Sequence, residues 1–181
     1  MLNKYALIKV VKGVIRENNE FSLRDTARKL KISPSTSKSA LDFLLSQKIL
    51  EKREIGKNYL FKVKNTYITR QIKELYTLAE LNSANFVEEV IAKCPDVLSI
   101  ALYGSAAKGE DDNNSDIDIL IISRKNIDIP ELNSERKINR EVTIVSYTYK
   151  EWKEKTENDK VFYSNVILNC IPLHGEKPVV L

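Results

Sequence analysis

Little in this chain suggests redox chemistry, a histidine-rich metal site or a membrane span. It has one histidine, two cysteines, one tryptophan and one methionine in 181 residues. A single His174 excludes a histidine-rich metal site. A structural zinc would need His174, Cys94, Cys170 and a carboxylate to converge. The two cysteines show no pairing pattern and fit buried thiols of a reducing compartment. Five glycines and five prolines exclude collagen-like and low-complexity chains. No apolar run approaches the roughly 18 residues that span a bilayer. The opening stretch MLNKYALIKVVKGVI has no small-residue cleavage site, and lysines interrupt it, so it does not read as a secretory signal. The expectation is a cytoplasmic chain with no membrane partner.

What is present is unevenly spread. The net charge of +4 conceals 15 Lys/Arg against 6 Asp/Glu in residues 1–65, and 14 against 19 in residues 66–181. A basic segment of +9 beside an acidic one of −5 points to polyanion contact by the first, or to two differently solvated surfaces.

In the basic segment Leu7, Ile8, Val11, Val14 and Ile15 recur at helical spacing and predict a helix over about 3–18. Ser22, with Asp25 three residues on, opens a short second helix that stops near Lys31. Ser33-Pro34 opens a third that runs to about Gln47, with Ala40, Leu41, Leu44 and Leu45 inward. Residues 49–63 read as a β-hairpin about Gly56-Lys57-Asn58. Three helices followed by a hairpin resemble a winged helix-turn-helix over residues about 4–64. The resemblance implies double-stranded DNA as partner, contacted from the solvent-facing start of the third helix (Ser35, Thr36, Ser37, Lys38) and from the hairpin (Arg53, Lys57). The alternative is that hydroxyls cap the helix and lysines keep the segment soluble. A twofold homodimer is the usual arrangement of such readers.

Ile68, Ile72, Leu75, Leu78 and Ala79 make one stripe of a connector helix over 66–83, which can be a dimer seam. Ser83 is expected to cap a further helix through Phe86, Val87, Val90 and Ile91, ended by Cys94-Pro95.

The strongest signal is VLSIALYGSAAKGEDDNNSDIDILIIS, residues 97–123. A nearly continuous apolar run from Val97 to Tyr103, as of a buried central strand, leads into Gly104-Ser105. Glycine allows close backbone approach, and backbone N–H groups with the Ser105 hydroxyl can cradle phosphate, with Lys108 adding charge. Asp116 and Asp118 open a second apolar strand and share one face, Cα atoms roughly 6.5–7 Å apart. Carboxylates so placed suit Mg²⁺ or Mn²⁺ and a nucleotide's phosphates. Without that chemistry, Glu110-Asp111-Asp112 is a solvated acidic loop between strands.

Gly-Ser, then Asp-x-Asp at this spacing, resembles the signature of minimal nucleotidyltransferases of the DNA polymerase beta-like superfamily, over residues about 84–181. Lys108 stands where many relatives carry arginine. The resemblance implies a mixed α/β (α+β) domain that transfers a nucleoside monophosphate, AMP in the first instance, from ATP or another triphosphate to a hydroxyl. It also implies a third carboxylate on the next strand, expected at residues 141–145. That place falls on Thr143, with Glu141 on the same face and able to take the role. Members of the family include antitoxins that modify a toxin of the HEPN type, which makes a protein acceptor an expectation. The rival expectation is a DNA-binding regulator whose second domain senses nucleotide without turnover. Trp152 is expected as a core anchor, and His174 in a turn with no catalytic role. The domains expected are 1–65, a connector 66–83, and 84–181.

Overall fold

In a computed structural model, which describes residues 2–56 and 58–180, the first helix, α1, spans Leu2–Val14. It ends earlier than residue 18 because the Glu17 amide closes a tight turn on the Val14 carbonyl (2.9 Å). Helix α2 (Leu23–Leu30) begins at a full capping box: the Ser22 hydroxyl accepts from the Asp25 amide, and the Asp25 carboxylate accepts from the Ser22 amide. Lys31, at φ 51°, ends it in the left-handed region. Helix α3 (Pro34–Ser46) follows Ser33, whose hydroxyl accepts from the Thr36 amide at 3.1 Å.

Strand β1 (Phe21–Ser22) pairs antiparallel with β3 (Asn58–Val63), which pairs with β2 (Leu50–Ile55) across the short turn at Gly56. The sheet order is β1-β3-β2. Strand β1 escapes notice in the sequence because it is two residues long. It is fixed by Phe21 stacking on Phe61 at 6.1 Å.

The chain divides into two units, residues 1–73 and 74–181, and the division falls inside α4 (Tyr67–Ala84). The cap expected at Ser83 does not form, and α4 runs through it. The Ser83 hydroxyl donates back to the Ala79 carbonyl (2.7 Å) and caps nothing. Helix α5 (Phe86–Lys93) instead starts after Asn85 in a left-handed conformation. Ile68 and Leu75 of the expected stripe are exposed, while Thr69, Thr77 and Leu81 are buried.

The second unit is a mixed four-stranded sheet of order β6-β5-β4-β7. Strand β4 (Val97–Tyr103) leads through one helical turn, α6 (Gly104–Ala107), and a loop to β5 (Ile117–Ser123). Then come β6 (Val142–Thr148), α7 (Tyr149–Asn158), α8 (Lys160–Asn169) and β7 (Ile171–His174). Strands β4 and β5 run antiparallel at the centre, and β5 and β6 are parallel. Both faces of β4 and β5 are covered, so these strands are apolar apart from Ser99, Asp118 and Ser123. Ile100, Leu102, Ile119 and Ile121 face Leu81, Phe86 and Val90. Ala101, Leu120 and Ile122 face Trp152 and Val166. Trp152 is fully buried and donates its indole N–H to the Pro178 carbonyl (2.7 Å), as a core anchor does. His174 closes β7 opposite Ile100 instead of starting the turn. Among the described residues no helix is long and apolar enough to cross a membrane.

One side chain clamps the middle of the segment between β5 and β6. Glu89 accepts from the amides of Asn133 (2.9 Å) and Ser134 (2.8 Å) and pairs with Lys93 at 2.9 Å. Lys93 foremost, and then the Asn133 amide, hold its carboxyl down at about 2, against an ordinary 4.5. A carboxyl lowered on folding stabilises the fold above its unfolded pKa, and that contribution is lost as pH falls toward 2. Glu89→Gln is therefore expected to flatten the fall in melting temperature of the full chain between about pH 5 and pH 2.5. Equal slopes for the two proteins would contradict the clamp.

Candidate functional site

The acidic motif is delivered by a turn and a strand start. The Asp112 carboxylate accepts from the Asn114 amide (2.8 Å) and the Ser115 hydroxyl (3.0 Å), closing an Asx-type turn before Asp116. Asp116 is exposed and lies just before β5, not within it. Asp118, in β5, is half-buried and aligned with Tyr103 on one side and Thr143 on the other. It shares the sheet face of Leu120 and Ile122.

Gly104 and Asp118 are brought into direct contact. Gly104 adopts φ 71°, and a Cβ built there would overlap the Asp118 carboxylate oxygen and lie 2.9 Å from its carboxyl carbon. The absent side chain is the space that the carboxylate occupies. Ser105 is half-buried, and its carbonyl accepts from the Lys108 and Glu110 amides (3.1 and 3.0 Å), which curls the chain after α6. Lys108 is half-buried at the end of that turn.

Electrostatics bear on the same place. Burial, and then the neighbouring charge of Asp116, push the Asp118 carboxyl above its ordinary value. Burial first, then Asp118 and Tyr147, push the Tyr103 phenol up to about 12. A divalent cation fits this donor set, since it binds hard carboxylate oxygens and offsets the repulsion that raises Asp118. Asp116 and Asp118 are the residues that would hold it. Glu141 is exposed and precedes β6 rather than lying in it, with its carbonyl accepting from the Ile117 amide at 2.9 Å. Among the described residues no three His, Cys, Asp or Glu side chains gather as a metal-holding group. Thr143, at the expected place of a third acid, brings a hydroxyl beside Asp118.

The acidic loop is not solvated throughout. Asp111 has no exposed surface and receives Arg140 Nη1 at 2.6 Å. Arg140 also donates to Thr77 (2.9 Å), and Glu80 of α4 accepts from the Asn139 amide (3.1 Å). These partners lie 29 to 63 residues apart, so no local pattern could reveal them.

In the first unit, Ser35 and Lys38 are exposed and Thr36 is partly so. Ser37 corrects its expectation: it is wholly buried, and its hydroxyl donates to the Leu23 carbonyl (3.4 Å), packing α3 on α2 instead of facing solvent. Arg53 is exposed but forked onto Glu20 at 3.1 and 2.7 Å. Lys57 lies outside the described residues.

A family model described as "Polymerase beta, Nucleotidyltransferase" matches residues 85–171, from the start of α5 to the first residue of β7. The match supports a nucleotidyltransferase domain over that segment, in keeping with the mixed sheet that carries Gly104 and Asp118. No curated protein and no solved structure matches the chain.

Proposed function

We propose that the second unit moves a nucleoside monophosphate, AMP in the first instance, from ATP or another triphosphate to a hydroxyl acceptor. The observation that carries this is Gly104 pressed on the Asp118 carboxylate, which joins the Gly-Ser turn to one member of the acidic pair. Asp116 and Asp118 would hold Mg²⁺ or Mn²⁺, which would supply neutralising charge and Lewis acidity toward the triphosphate. Ser105 and the amides of its turn orient the triphosphate, and Lys108 adds positive charge. The acceptor oxygen bonds to the α-phosphorus, the bond from that phosphorus to the bridging oxygen breaks, and pyrophosphate leaves. Glu141, one residue before β6, takes the acceptor's proton. The acceptor proposed is a protein hydroxyl, with a HEPN-type toxin the partner that the resemblance suggests. The test is incubation with α-labelled triphosphates, Mg²⁺ or Mn²⁺ and whole-cell acceptors. Label on an acceptor supports transfer, and its absence with every acceptor and triphosphate refutes it.

A second reading is favoured by Thr143, the hydroxyl beside Asp118 where the resemblance places an acid. In it the second unit binds the metal-nucleotide as a signal, and the chain acts as a DNA-binding regulator of its own operon. Binding of nucleotide without label transfer separates this reading from the first.

For residues 1–65 we propose a winged helix-turn-helix that binds duplex DNA, as a cytoplasmic homodimer. Three helices, a three-stranded sheet and the +9 charge support it. Ser35 and Lys38 face solvent at the start of α3 and Thr36 does so in part, whereas Arg53 must first leave Glu20. Affinity for random-sequence duplex is expected to fall steeply with salt, and Lys38→Ala to lower the slope of log affinity against log salt by about 1. An unchanged slope would remove Lys38 from the interface.

A further inference from the structure

We propose that Asp111 and Arg140 are positioning residues, a buried bridge that sets the loop carrying Lys108 and Asp116 against the segment carrying Glu141. The inference rests on the transferase reading for its consequence, but its geometry stands alone. The loop between α6 and β5 begins at Lys108 and ends at Asp116, and Asp111 sits inside it. The Asp111 and Arg140 side chains are 0% and 6% exposed and meet at 2.6 Å. The same guanidinium reaches Thr77 at 2.9 Å and lies 3.9 Å from the Glu80 carboxylate, whose other oxygen accepts from the Asn139 amide at 3.1 Å. One residue beyond Arg140, the Glu141 carbonyl accepts from Ile117, between the two candidate metal ligands. A rigid fork thus joins α4, the loop and the entry to β6 in one buried junction.

A buried ion pair of this kind orients more than it stabilises. Replacing both charges with apolar groups of similar size is often tolerated, whereas removing one strands the other in a dry interior. The cost of losing the bridge therefore falls on the placement of Lys108, Asp116 and Glu141, where an error near 1 Å is enough to slow a reaction about a hundredfold.

The test uses the full chain with Asp111→Leu and Arg140→Met together, and Arg140→Lys as a companion that keeps the charge but loses the fork. Two readouts are taken: hydrogen exchange of the peptide over residues 108–118, and apparent kcat and KM for α-labelled ATP with Mn²⁺ and cell-extract acceptors. The double variant is expected to melt within a few degrees of wild type and to exchange that peptide about tenfold faster. Its kcat should fall about 30- to 100-fold, with KM within about threefold. Wild-type exchange with wild-type kcat, or a raised KM at unchanged kcat, overturns the proposal. If the double variant does not fold, Arg140→Lys decides: a lower kcat at the wild-type melting temperature supports the bridge, and an unchanged kcat overturns it. A wild type that transfers no label defeats the transferase reading alone, and the exchange result then decides whether the bridge sets the loop.

Discussion

Asp118→Asn is expected to lower transfer of label from α-labelled ATP by about a thousandfold or more, with the melting temperature unchanged or raised. The two effects have one cause. Asp118 is half-buried beside the charge of Asp116, and its carboxyl is held above the ordinary value by burial first and by that charge second. An acid whose pKa rises on folding costs the fold stability wherever it is ionised, so at neutral pH the asparagine amide removes a penalty. A carboxylate kept at such a cost is a candidate site residue. Asparagine keeps the shape that rests on Gly104 and removes the charge that would hold a cation. Asp116→Asn is expected to lose activity in the same way. A variant that keeps activity within tenfold of wild type would remove Asp118 from the site. One that unfolds would make it a structural residue.

Gly104→Ala is expected to cost about a hundredfold in transfer and roughly 1–2 kcal/mol in stability. The stability term comes from φ 71°, a left-handed conformation that a Cβ disfavours. The activity term comes from the space itself: the new Cβ would lie 2.9 Å from the Asp118 carboxyl carbon and 3.3 Å from its Cβ, so the carboxylate must leave its seat. Gly56 supplies the control. It has a similar φ of 60°, but a Cβ added there would meet nothing within 4 Å, so Gly56→Ala should show the strain without the loss of transfer. Measured kcat and melting temperature for both variants separate the two terms. Equal transfer by the two variants would break the link between Gly104 and Asp118.

These residues are legible in the sequence because their signals are local. Gly104-Ser105 ends one apolar run and Asp-x-Asp opens the next, although only Asp118 lies in β5, with Asp116 just before it. Helix starts at Ser22 and Ser33 are equally readable, since each cap bonds to an amide three residues away. What escapes depends on distant partners. Ser37 sits among exposed hydroxyls in the sequence but turns inward to Leu23. Ser83 has the chemistry of a cap, yet the helix continues because its hydroxyl bonds back to Ala79. Asp111 reads as one of several solvated acids, but Arg140, 29 residues on, closes over it. The charge split has the same lesson: part of the acidic excess is paired inside the fold, and part faces the place where a cation is proposed.

The most direct test of the central claim compares two labels in one reaction, with full-length wild-type protein, Mg²⁺ or Mn²⁺, and cell-extract acceptors. Nucleotidyl transfer predicts that label from the α-phosphate of ATP appears on the acceptor while label from the γ-phosphate leaves in pyrophosphate. Label from the γ-phosphate on the acceptor, or neither label on any acceptor, would contradict it.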